Sequence, residues 1–232
     1  PFSGLARSAF VGVQFLDGFV RTGIFSPEDR EAFLSSLDTI TNGITRDLAR
    51  MAAGELERSA FLESYGHLRP GTYDILSPRY DEAFDTYYGG LDRGNAPVAR
   101  EARPFALSAG QRSAMERCFA AEGLALTPDG ALDFIRAAIE GRELAKLLFS
   151  HALSDALVEL EVLGRRCNLE REDLSHLNIR RVMELYASLD ARDLRDVLLA
   201  DIDSNREAFR MTEVVKLPDL VVEPADVFHF HL

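Results

Sequence analysis

The stretch T-P-D-G-A-L-D-F-I-R-A-A-I-E-G-R-E-L-A-K-L-L-F-S-H-A-L-S-D-A-L-V-E-L-E-V-L, Thr127 to Leu163, decides the fold. Thr127-Pro128-Asp129 reads as a helix start. Phe134, Ala138, Gly141, Ala145, Leu148, Ala152, Ala156, Leu160 and Leu163 then recur at three- and four-residue steps, the spacing of one helix face. At about 1.5 Å per residue such a helix spans on the order of 50 Å. Ile135, Ile139, Leu147 and Leu157 make its opposite face partly apolar too, which predicts a central helix packed on more than one side. Gly141 inside it costs roughly 1 kcal/mol against Ala and is read as a point of close helix approach.

Working outward toward the N-terminus, Leu5, Phe10, Val13, Leu16 and Val20 predict a first helix stopped by Gly23. Ser26-Pro27-Glu28-Asp29 combines a cap residue, a Pro at the first helical position and an acid three beyond the cap. Phe33, Leu37, Ile40, Ile44, Leu48 and Met51 keep the helical step, so a second helix is expected to run on to about Ala53, through Gly43, and to break at Gly54. Glu57 to Tyr65 is one further short helix. Ser108 opens a helix ending near Gly123.

On the C-terminal side, amphipathic pieces are expected over Arg171 to Leu177, Ile179 to Ser188 and Ala191 to Val214, with Pro218 closing the helical region. The period then changes to two at Leu220, Val222, Val227, Phe228 and Phe230, which predicts one or two short β-strands. The expected fold class is therefore mainly α: a multi-helix domain over residues 1–217 with a long polar loop at 67–104. Residues 218–232 are expected to begin a strand segment leading to a further C-terminal domain. The apolar, unfinished C-terminus and the absence of an initiating Met are read as the ends of a segment from a longer polypeptide.

Composition narrows the function classes. At 232 residues and 47% apolar content the chain can bury a sizeable core. A formal net charge of -12 with no clustered basic run disfavours nucleic acid and anionic membranes as partners. Cys118 and Cys167 stand alone, without C-x-x-C or ligand-spaced His, so neither a disulfide framework nor a metal site is expected and both are read as thiols of a cytoplasmic protein. No apolar run reaches the roughly 20 residues of a spanning helix. Phosphate-loop, dinucleotide, nucleophile-elbow and H-E-x-x-H patterns are all missing.

Candidate chemistry concentrates in Tyr65 to Glu82, Y-G-H-L-R-P-G-T-Y-D-I-L-S-P-R-Y-D-E, where Gly66, Pro70, Gly71 and Pro78 prevent a regular helix. His67, Arg69, Tyr73 and Asp74 supply an imidazole, a planar cation and a carboxylate able to grip an anionic or hydroxyl-bearing ligand, and Arg79 and Tyr80 extend the cluster. His67 and Asp74 are the candidate catalytic pair, a base and the group orienting it. The alternative use of the same residues is internal, with His67 and Asp74 bonded to the loop's own backbone and Arg69 paired with an acid. Arg142 and Lys146, four apart on the long helix, are candidates for an anion, against a charged exposed face in which Glu143 reaches Lys146. His151 is read as a core or rim histidine. His229 and His231 alternate on the expected strand with no third metal ligand nearby.

The Y-G-H-L-R-P-G-T-Y-D stretch resembles the middle region of phosphoenolpyruvate-utilising enzymes of the phosphoenolpyruvate synthase and rifampicin phosphotransferase type, which often carry a Y-G-H-R-G-P-G-E-like sequence. G-R-E-L-A-K-L-L-F-S at Gly141 to Ser150, L-E-R-E-D-L-S-H-L at Leu169 to Leu177 and D-V-F-H-F at Asp226 to Phe230 are similar to family segments in the same order. The resemblance implies a helical acceptor-binding or linker domain, inactive alone. An ATP-grasp domain using ATP and Mg would lie elsewhere in the polypeptide, with a swivelling domain carrying the phosphorylated histidine. His67, Arg69, Arg79, Arg142 and Lys146 would then face an unknown small-molecule acceptor or neutralise transferred phosphate. Leu68 and Thr72 replace the family's Arg and Glu, which implies a different acceptor. A purely structural spacer and a self-contained acid/base enzyme using His67 are the competing expectations.

Overall fold

A computed structural model describes residues 2–90, 104–188, 193–214, 220 and 222–225, with the backbone alone at 186–188. The described residues form ten helices, and the chain divides into two compact units. The first comprises Pro1–Leu68 and Arg79–Ala152, the second Arg69–Pro78 and Leu153–Leu232.

In the first unit, α1 (Phe2–Arg21) ends where Gly23 takes a positive φ of 71°, and α2 (Pro27–Ser35) begins with a full capping box between Ser26 and Asp29. Apolar faces of these helices meet α6 (Ala109–Ala121) and α7 (Pro128–Arg166) in a core of Leu16, Phe19, Phe33, Leu37, Phe119 and Ile135. Gly12 lets α1 approach α7 closely, since a Cβ there would stand 3.4 Å from the Ile135 Cα.

The second helix is shorter than its period implies. It stops at Ser35 and α3 (Ile40–Ala52) starts anew. Around the break, Thr39, Asn42 and Glu140 supply side-chain bonds that compete with a continuous ladder. Thr39 Oγ1 accepts from Asn42 N–H, Asn42 Nδ2 donates to the Leu37 carbonyl, and Asp38 N–H donates to Glu140 Oε1 at 2.8 Å. Gly54, at φ 73°, ends α3. A smaller aromatic core joins α3, α4 (Arg58–Tyr65) and α5 (Phe84–Tyr88) through Leu48, Phe61, Tyr65 and Phe84.

The second unit contains the end of α7, α8 (Arg171–Leu174), α9 (Ile179–Ser188) and α10 (Leu194–Val214). Asn168 at φ 53° closes α7, with Leu169 N–H returning to the Gly164 carbonyl, an αL stop for which Asn substitutes for Gly. Leu169, Leu174, Leu198 and Ile202 form the core here, and Ile75 from the central loop joins it.

The strand expectation is corrected: no residue among those described is in a β-strand. Leu220 and Val222 are non-strand and exposed, and residues 223–225 form a bend and a short turn. Pro218 and Pro224, which flank Leu220 and Val222, have no N–H to give a ladder, and no strand stands among the described residues to pair with them. Val227, Phe228, His229, Phe230 and His231 lie outside the described residues, as do residues 91–103 of the long loop.

Candidate functional site

The Tyr65–Glu82 stretch is built by two sets of bonds, one in each unit. In the first unit Tyr80 N–H donates to the Leu68 carbonyl at 2.8 Å and Asp81 N–H to the Gly66 carbonyl at 3.1 Å, clipping the two arms of the stretch together. Tyr65 anchors the entry: buried against Phe61, its hydroxyl donates to Asp47 Oδ2 at 3.2 Å. Burial first, and then the Asp47 carboxylate, raise its pKa. His67 is 7% exposed and sets its ring against that of His151 of α7, tilted by 43° with centroids 4.4 Å apart. Arg79 forks onto Asp81 through Nε and Nη2 at 3.0 and 2.8 Å. Tyr80 sets its ring edge-on to Tyr87 and Tyr88, and burial followed by the Tyr80 hydroxyl pushes Tyr88 far up.

In the second unit Arg69 organises the tip. Its side chain is buried, with the residue 5% exposed. Nη1 donates to the Asp74 and Ser77 carbonyls at 3.3 and 3.1 Å, and Nη2 donates to Ser154 Oγ at 3.3 Å. Asp74 Oδ1 accepts from Leu76 N–H at 2.9 Å, and Gly71 N–H donates to Ser77 Oγ at 3.1 Å. A Cβ on Gly71 would stand 2.8 Å from the Asp74 Cβ, so this turn needs glycine. A guanidinium is suited to this work because it offers five fixed donors and stays charged at any working pH. Tyr73 projects outward, 73% exposed.

Each sequence candidate is described within its own unit. His67 and Asp74, the candidate base and its orienter, belong to different units, and Asp74 is engaged with the loop backbone. Arg142 pairs with its neighbour Glu143 at 3.3 Å, and Lys146 is exposed. Glu143 thus serves Arg142, not Lys146 as the helical spacing implied. Among the described residues no group of three or more His, Cys, Asp or Glu could hold a metal ion, and no helix is long and apolar enough to cross a membrane.

Two participants escaped the sequence reading. Ser154, 2% exposed, receives Arg69, and Glu161, 5% exposed, lies two turns further along α7. Their signal was available: a Ser and a Glu seven apart in a helix whose neighbouring positions are apolar belong to a buried face and need internal partners. Leaving either acceptor unmatched costs about 1–3 kcal/mol.

No family model matches the chain, and no curated protein or solved structure matches it.

Proposed function

We propose that the chain is the helical linker domain of a multidomain phosphotransferase of the phosphoenolpyruvate synthase type. In such a polypeptide an ATP-grasp domain takes ATP and Mg and phosphorylates a histidine of a mobile domain, which passes the phosphoryl group to a small-molecule acceptor. This chain contributes the framework between them and none of the reacting groups. Support comes from the four sequence segments that resemble that family and from the use made of the most family-like one.

One observation favours a linker over an acceptor site: the Arg69 guanidinium is buried and donates to Asp74, Ser77 and Ser154 of its own unit. A cation committed to three internal acceptors is poorly placed to meet a transferred phosphate. The loop's polar residues hold the loop.

The test is phosphoryl transfer from labelled ATP in the full polypeptide, to its own histidine and onward to pyruvate and a panel of hydroxyl compounds. Tyr73→Ala and Lys146→Ala remove the exposed candidates without touching a core. Both steps are expected to stay within about twofold of the unsubstituted protein. Onward transfer reduced tenfold or more, with histidine phosphorylation intact, would make this an acceptor site. Absence of any phosphohistidine would remove the phosphotransferase assignment itself.

A further inference from the structure

The first unit carries a hollow of about 440 Å³ between α1 and α6, walled by Phe10, Val11, Phe15, Phe19, Phe119 and Leu124. Buried Phe19 and Phe119 meet across the two helices, with ring centroids 6.2 Å apart and planes tilted by 58°. Phe10, Val11 and Leu124 are 64%, 47% and 42% exposed, so the space opens to solvent between apolar side chains. Gly18 makes room for it. It lies inside α1 among the wall residues, and a Cβ there would come no nearer to a neighbouring side chain than 3.9 Å, at Arg21 Nη2. Glycine inside a helix is less stable than alanine, and packing does not require it here.

The chemistry of the walls restricts the ligand. Thr22 Oγ1 donates to the Gly18 carbonyl at 3.0 Å and is spent inside α1. Glu122 is the only charged residue among the described walls and is exposed, and Arg21, exposed beside Gly18, carries the opposite charge. Pairing with either contributes little at such exposure, whereas drawing an ionised group in among phenylalanines forfeits its hydration. Glu122 repels an anion and Arg21 a cation, which leaves a neutral ligand. Phe15 and Phe119 already tilt against Phe19 at 44° and 58°. A flat ring entering beside them continues the inclined packing that aromatic pairs favour. The volume lies within the range of small-molecule pockets.

We propose that this hollow binds a small neutral aromatic molecule of about two fused rings, seated over Gly18 among Phe15, Phe19 and Phe119. Binding there is independent of the phosphotransferase assignment, because no wall residue is among those tested for onward transfer.

Titration of the ¹⁵N-labelled chain with 1-naphthalenemethanol, 1-naphthylmethylamine and 1-naphthoate separates ring from charge, and 1-octanol tests whether a ring is needed. The neutral naphthalene is expected to give saturable shifts at the amides of residues 10–22 and 118–124. It should also slow alkylation by iodoacetamide of Cys118, half-buried in the wall, with buried Cys167 as the reference. Both charged naphthalenes and octanol are expected to bind about threefold or more weaker. Gly18→Leu, which fills the hollow, is expected to raise Kd about tenfold or more, and Phe10→Ala, at an exposed position, about threefold. Shifts that fail to saturate, affinity unchanged in Gly18→Leu, or equal affinity for a charged naphthalene or for octanol would overturn the proposal. So would shifts that follow protein concentration instead of ligand, which would make the hollow a contact between copies of the chain.

Discussion

Glycine at 141 costs the long helix backbone entropy without allowing any close contact, because a Cβ there would meet only Leu5 Cδ2 at 3.7 Å. Gly141→Ala is expected to stabilise the chain by about 0.5–1 kcal/mol, read as a higher urea midpoint at unchanged slope. Gly164 on the same helix behaves oppositely: its Cβ would fall 2.6 Å from Leu174 Cδ1, and Gly164→Ala is expected to cost about 1–3 kcal/mol. Shifts of equal sign would contradict the packing described here. The sequence reading placed a close approach at Gly141, whereas Gly12 and Gly164 both stand closer to a neighbouring element than Gly141 does. Helical spacing tells which face a glycine occupies but not what stands opposite. Arg69 is a similar case. Its unusual setting among Gly and Pro was legible, but its burial was not, since the carbonyls it serves are exposed to it only once the turn has closed.

At the scale of elements, start signals carried more than periodicity did. The Ser26 cap, the helix start at Ser108 and the Thr127-Pro128 start stand where the sequence put them. The continuous period from Phe33 to Met51 hid the break at Ser36–Thr39, because Leu37 and Ile40 keep a three-residue step across it while their side chains serve different clusters. The short alternation at Leu220 and Val222 misled for a related reason: a strand is defined by its partner, which local sequence does not contain. The α8 start shows how an element's ion pairs set its pH response. Glu170 N–H donating to Asp173 at 3.0 Å, and then Arg206 at 2.7 Å, lower the Asp173 pKa below its ordinary value. A depressed carboxyl stabilises the fold above its unfolded pKa of about 3.9, and that contribution fades as pH falls through the folded value. Urea unfolding of Asp173→Asn against the unsubstituted chain is therefore expected to show a stability difference at pH 6 that narrows steadily below pH 4. A constant difference across that range would show that the pair does not titrate with folding.

At the scale of the molecule, each unit has its own apolar core, and α7 supplies Pro128–Ala152 to one and Leu153–Arg166 to the other. The Tyr65–Glu82 stretch is divided in the same way: its arms belong to the first unit and its tip, with Ile75 in the core, to the second. A segment so placed acts on the stability of the units themselves. The most direct measurement of this is amide hydrogen exchange with urea unfolding on Arg69→Met, which keeps the side chain's length and removes its donors. A loss of about 2–4 kcal/mol is expected. Protection should collapse at Gly71, Leu76 and Ser77 and persist at Tyr80 and Asp81, whose bonds lie in the other unit. An Arg69→Met chain as stable and as protected as the original would contradict the account, and would return that guanidinium to the candidates for ligand binding.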